Sequence, residues 1–204
     1  MATPEKNDSS RADGLIVVAA MVALMWVVEV VDTLDNHKLD AHGIEPRNAD
    51  GLVGIVTAPF LHAGFGHLIG NTVPFVVMGF AIALNGAMRV LAVTAIVAFV
   101  SGAGTWLIGP DHTNHIGASG VVFGFATYLM ARGVFNRNAI ELALGLVVAL
   151  VFGGALLGGL APHQGISWQG HLFGAIGGVV AARLLATGRE AKREDTPADR
   201  LLAS

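Results

Sequence analysis

Six apolar runs, each about twenty residues long, govern what this 204-residue chain can fold into. They fall at roughly 14–34, 66–84, 88–108, 119–135, 139–160 and 169–187. At 1.5 Å per residue such a run reaches across a hydrocarbon layer about 30 Å thick. In lipid each backbone N–H and C=O must find its partner inside the protein, so runs of this kind become helices. The expected fold is therefore all-α, a six-helix membrane bundle. Composition agrees: 53% of the residues are hydrophobic, 13% are charged and mean hydropathy is +0.64, outside the range of water-soluble domains. The 27 glycines are spread through the apolar runs, as suits helices that pack backbone to backbone.

The first run is too long for a signal-peptide core and has no small-residue cleavage site after it, so it reads as a retained span. Residues 14–187 form one expected domain, flanked by polar tails at 1–13 and 188–204. With no cysteine, the chain has no disulfide framework, thiolate nucleophile or cysteine metal site. Basic residues set the expected orientation. Six spans put Lys6, Arg11, Arg89, Arg132, Arg137, Arg183, Arg189, Lys192, Arg193 and Arg200 on one side and leave Lys38 and Arg47 on the other. Loops rich in Lys and Arg stay in the cytoplasm, which places both termini there.

Polar residues inside spans are costly, and each is a functional hypothesis. The second run contains "HAGFGHLIGN", the fourth begins at "GASG" and the sixth carries "GHLFGAIGG". His67 and Asn71 are four apart and share one helical face. Ser119 opens the fourth run and His171 the sixth, while Gly120, Gly124, Gly170, Gly174 and Gly178 allow those two helices a close approach. From Ser119 to Arg132 is about 21 Å of helix, less than the membrane is thick. With Arg132 at the cytoplasmic interface, Ser119 lies below the external surface, facing a water-reachable cavity. Glu29 and Asp32, near the outer end of the first run, are expected at the interface.

These three motifs resemble those of the rhomboid intramembrane serine proteases, in the same order and on the corresponding helices. The resemblance implies a catalytic Ser119, a general-base His171 and oxyanion-stabilising side chains at His67 and Asn71. It also implies that Phe123, where some members carry tyrosine, stacks on the catalytic histidine. "GIEPR" stands in the first external loop where many rhomboids carry a Trp-Arg pair. The implied activity is serine endopeptidase cleavage of single-span membrane proteins near the outer face, commonly after a small residue. The implied partners are transmembrane substrates and the lipid bilayer, with no nucleic acid.

The chemistry can also be stated from the residues. A serine hydroxyl needs a base, and a neutral His171 could accept its proton. No Asp or Glu occurs in the second, fourth or sixth run, so a Ser-His dyad is expected, with packing orienting the histidine. Gly117, Ala118 and Gly120 leave room for a substrate backbone. His62 could brace a loop or bind substrate. No HExxH pair occurs and no acid adjoins His67 or His171, so neither a metal nor another cofactor is expected. The alternatives are a non-proteolytic rhomboid-like protein that binds transmembrane helices, and a small transporter with an intramembrane histidine path.

Overall fold

In the computed structural model, which describes residues 4–163 and 165–187, the chain is helical and contains no named strand among those residues. Six long helices account for the six apolar runs: α1 (Pro4–Leu34), α3 (Phe65–Ala83), α4 (Ala87–Ile108), α5 (Ser119–Asn136), α6 (Ala139–Gly159) and α7 (Trp168–Leu184). A four-residue helix, α2 (Gly54–Thr57), and short 3-10 turns at Leu39–His42, Asp50–Leu52 and Ala58–Phe60 build the connection from α1 to α3. The molecule is thus an all-α bundle of the membrane type. Helix boundaries lie within three residues of the apolar runs except at the start of α1. There the helix begins ten residues earlier, at Pro4, because a proline at the first helical position is already set for helix and no breaker follows it. The tail at 188–204 lies outside the described residues.

Helices α1, α3, α4 and α6 are long and apolar enough to cross a membrane by length and composition. Helices α5 and α7 fall short of that measure, and their position explains it. Helix α5 packs against α3, α4, α6 and α7 at once, and α7 packs against α4 and α5. Neither needs the continuous apolar surface that a lipid-facing helix needs. Helix α6 is the opposite case. It packs chiefly on α5, buries Gly145 and Val148, and leaves Leu146, Leu150, Val151 and Leu157 exposed for lipid.

The core runs along α5. Val121, Phe125 and Leu129 meet Leu68, Phe75, Met78 and Ile82 of α3 and Val90, Val93 and Val97 of α4, with Val18 and Met25 of α1 behind them. On the other side of α5 the seam to α7 is made of glycine. A methyl group added at Gly174 would stand 2.1 Å from the Gly120 carbonyl oxygen, and one at Gly178 would stand 2.1 Å from that of Gly124. The Thr127 hydroxyl donates across the seam to the Ala175 carbonyl at 2.8 Å. The small-residue spacing therefore does what was expected of it, and it brings the starts of α5 and α7 together.

Three charged residues are enclosed by the protein in a way the sequence did not indicate. Glu29 and Asp32, near the outer end of α1, are buried within the protein, at 0% and 1% exposure. Arg132 is also buried, where its guanidinium bonds the Glu141 carboxylate and the Asn85 side chain, while Asn136 donates to the same Glu141. The far end of α5 is thus closed by a charge-assisted network that is shielded from solvent.

Candidate active site

Helix α5 begins at Ser119 without a side-chain cap, since its N-cap residue is Ala118. The first N–H groups of any helix have no partner within it, so those at Ser119 and beyond are free to meet an acceptor. The chain enters this helix through Gly117, whose φ of +114° is a conformation that glycine adopts without strain. The Gly117 N–H donates to the Ala58 carbonyl at 2.8 Å, and the Ala118 N–H donates to His62 Nε2 at 3.3 Å. His62 is 1% exposed, and burial, with the neighbouring His67 adding to it, lowers its pKa to about 4. It is therefore neutral at physiological pH and able to accept that N–H. His62 thus accepts a backbone N–H from the loop that leads into Ser119.

Ser119 is half-buried, and its Oγ lies 2.8 Å from His171 Nε2. The other ring nitrogen, Nδ1, lies 2.7 Å from the Gly159 carbonyl oxygen. A carbonyl can only accept, so Nδ1 carries the ring proton and Nε2 presents its lone pair to the serine hydroxyl. Phe123, one turn after Ser119, stacks on the imidazole with ring centroids 4.1 Å apart and planes 9° from parallel. His171 is thus held by a stacked ring and by a backbone acceptor at the end of α6. Motif reading missed Gly159, because a carbonyl leaves no signature in side-chain chemistry. What marks the position is its smallness: a methyl group there would stand 2.6 Å from the Phe123 ring and 3.0 Å from His171 Nδ1.

His67 and Asn71 converge on the same turn from α3. A methyl group at Gly117 would meet His67 Nε2 at 2.8 Å and Asn71 Nδ2 at 3.6 Å, so both side chains border the peptide that leads into Ser119. Asn71 is buried and its Nδ2 has no hydrogen-bond partner, leaving an amide donor available at the site. His67 is exposed and packs edge-on against His62, ring centroids 5.1 Å apart. All seven residues singled out from sequence, Ser119, His171, His67, Asn71, His62, Gly117 and Phe123, therefore fall in one place.

Several cavities adjoin this place, two of which reach Ser119 or His67. A cavity of about 30 Å³ beside Ser119 is lined by Ser101, Thr105, Gly117, Gly120, Ser167 and Gly170. A larger one of about 630 Å³ is bordered by His67, Pro110, Asn114, His115, Pro162, His163 and Trp168, with no Lys, Arg, Asp or Glu among its described lining residues. The first loop, whose "GIEPR" stretch had no expected shape, closes over this end. Ile44 and His115 exchange backbone hydrogen bonds at 2.9 Å. Arg47 reaches Asp111 and the Leu107 and Gly109 carbonyls. Such an arrangement can activate a hydroxyl, supply hydrogen-bond donors to a developing oxyanion and admit a small side chain next to the nucleophile.

The chain is similar to several known sequences. The Rhomboid domain family matches residues 49–188. An uncharacterized protein of Mycobacterium tuberculosis (strain H37Rv) is 45% identical over 195 residues, covering 90% of this chain and 81% of its own length. One from Mycobacterium leprae is 42% identical, covering 91% and 81%. A Bacillus subtilis (strain 168) protein named as a candidate rhomboid protease is 31% identical over 140 residues, covering 67% of this chain and 68% of its own.

Proposed function

The chain belongs to the rhomboid family of intramembrane proteases, and from that premise we propose that it is a serine endopeptidase that cleaves transmembrane protein substrates with a Ser119–His171 dyad. The observation that carries this reading is the 2.8 Å contact from Ser119 Oγ to a His171 Nε2 whose partner nitrogen is committed to the Gly159 carbonyl. As the Ser119 oxygen attacks the substrate carbonyl carbon, Nε2 takes the hydroxyl proton. The oxyanion then accepts from the Ser119 N–H, the Asn71 amide and the His67 ring N–H, each worth on the order of 3 kcal/mol in comparable sites. His171 next gives its proton to the leaving amine, and the same base activates a water that hydrolyses the acyl-enzyme. No carboxylate is required, because a backbone carbonyl already fixes the tautomer.

The cavities support a substrate class. A space of about 30 Å³ takes a methyl group or a hydroxymethyl and excludes an aromatic ring, so the residue before the cleaved bond is small. The uncharged 630 Å³ cavity suits a short unwound stretch of a membrane-spanning segment.

A serine-reactive fluorophosphonate tests the nucleophile. The purified protein in detergent is expected to be labelled at Ser119, the Ser119→Ala variant not at all, and His171→Ala at a rate reduced by about 10³-fold or more. Equal labelling of wild type and Ser119→Ala would rule the assignment out.

The orientation belongs to the same proposal: both termini cytoplasmic and the Ser119 end of the bundle facing outward. Asn114 and Arg137 lie beyond opposite ends of α5 and both are exposed. Because the chain has no native cysteine, Asn114→Cys in intact cells is expected to react with a membrane-impermeant maleimide while Arg137→Cys reacts after lysis. The reverse pattern would invert the topology.

A further inference from the structure

A cluster of acids away from Ser119 has no place in the chemistry above. Asp32 lies in the last turn of α1 and is 1% exposed. Its Oδ1 accepts the Leu39 N–H at 2.7 Å, and its Oδ2 stands 3.3 Å from His37 Nδ1. The Asp40 Oδ2 stands 3.9 Å from the same nitrogen, and one ligand atom from each of Asp32, His37 and Asp40 lies within 4.8 Å of the others. Left-handed backbone at Asn36 and His37, with φ of 56° and 59°, folds the chain back so that His37 faces Asp32.

A second observation is independent of this trio. Glu29, one turn earlier on α1, is 0% exposed, and neither of its carboxylate oxygens has a hydrogen-bond partner. The Thr33 hydroxyl is close but not in hydrogen-bonding geometry. Glu29 lies within electrostatic reach of Asp32, His37 and Asp40. Asp40 Oδ1 is likewise enclosed without a partner. The basic residues of the loop do not answer these charges, since Lys38 pairs with Asp35 and Arg47 with Asp111. Buried carboxylates persist when a cation or a hydrogen-bond donor compensates them, and here the buried Glu29 and Asp32 and the partly exposed Asp40 share one histidine.

We propose that Asp32, His37 and Asp40, with Glu29 behind them, bind a divalent cation of the zinc class that clamps the C-terminal end of α1 to the loop that follows it. Zinc bonded at about 2.0–2.2 Å in a tetrahedron sets its ligand atoms about 3.3–3.6 Å apart. Separations of 3.3 and 3.9 Å meet that with a small closure of Asp40. An imidazole among carboxylates favours zinc over calcium, which takes six to eight oxygen ligands. His37 is 49% exposed, which leaves the ion a path from solvent. The clamp would reach the substrate side of the molecule, because the Asp40 carbonyl accepts from the Asn114 side chain at 2.6 Å and Asn114 borders the larger cavity. The site stands or falls independently of the protease reading.

Untagged protein in detergent, stripped with a chelator and dialysed, is titrated with ZnCl₂ by calorimetry and followed by thermal unfolding. One saturable site per chain is expected, with an unfolding midpoint several degrees higher at saturation. Asp40→Asn should lose both effects, and His37→Ala should bind at least about tenfold more weakly. CaCl₂ at the same concentration should do nothing. Absence of saturable zinc binding overturns the proposal, as does undiminished binding by both variants, which would move the ion to exposed histidines such as His112 or His163. Stabilisation by calcium in place of zinc overturns it too. Should Asp40→Asn fail to fold, His37→Ala decides, because that side chain is half exposed and its loss leaves the packing intact.

Discussion

Replacing Ser119 or His171 by alanine is expected to lower cleavage of a transmembrane substrate by on the order of 10⁴-fold or more. The double variant should be no worse than either single one. The two side chains share one 2.8 Å hydrogen bond through which the proton moves, so losing either end removes the whole function. Stability should change little. The Ser119 hydroxyl contributes a single hydrogen bond, worth about 1 kcal/mol net, and the Phe123–His171 stack belongs to the histidine alone. Asn71→Ala provides a graded companion. Its unpartnered amide is aimed at the Gly117 turn, so its loss should reduce kcat by about 10²–10³-fold with a smaller change in KM, as a donor used mainly in the transition state requires. The measurements are steady-state cleavage of a reconstituted substrate and a thermal melt of each variant. Cleavage by Ser119→Ala at a rate near wild type would remove serine from the mechanism. An unchanged kcat in Asn71→Ala with a large loss of stability would make that residue structural.

Gly174→Ala should also be damaging, although the added group is one methyl at a position that lines neither substrate cavity. Its Cβ would stand 2.1 Å from the Gly120 carbonyl oxygen, 2.8 Å from its carbon and 3.0 Å from its Cα. These are backbone atoms of α5, which no rotamer change can move aside. The two helices must separate by about 1 Å to restore van der Waals contact, and a displacement of that size near a reacting pair costs about 10²-fold in rate. Gly120 directly follows Ser119, and Gly174 lies one turn beyond His171, so the separation acts on the dyad itself. The seam also loses dispersion contacts along its length, which should lower the unfolding midpoint by several degrees. Gly153→Ala on α6 is the control, since a methyl group there meets nothing within 4 Å. If Gly174→Ala cleaves and melts like Gly153→Ala, the close α5–α7 approach does not hold the site together.

Much of this architecture was legible before any coordinates. Helix formation in lipid is a local matter, because each helical hydrogen bond closes within four residues and an apolar run of sufficient length needs no distant partner. Six runs therefore became six helices with ends displaced by at most three residues outside the start of α1. The glycine spacing on the fourth and sixth runs predicted their close contact for an equally local reason, since residues four apart share one helical face. His67 and Asn71 came to one turn by the same rule.

Other features depend on chain segments far apart in sequence, and those were decided by the tertiary structure. The acceptor that fixes the His171 tautomer is a carbonyl twelve residues away on another helix, and every residue carries a carbonyl. Glu29 and Asp32 look like interface residues from their place at the end of an apolar run. The groups that meet Asp32, His37 and the Leu39 N–H, are brought back to it past a left-handed turn at Asn36 and His37 that no hydrophobic pattern reports. Arg132, taken from sequence as the mark of a membrane surface, is buried because Glu141 of the next helix folds back onto it. Sequence periodicity determined which segments are helices and which faces they offer, because it records the local preference of each segment. Which polar group meets which across the bundle was settled by tertiary packing, because a buried charge or ring proton is stabilised by whatever partner the whole fold delivers within about 3 Å.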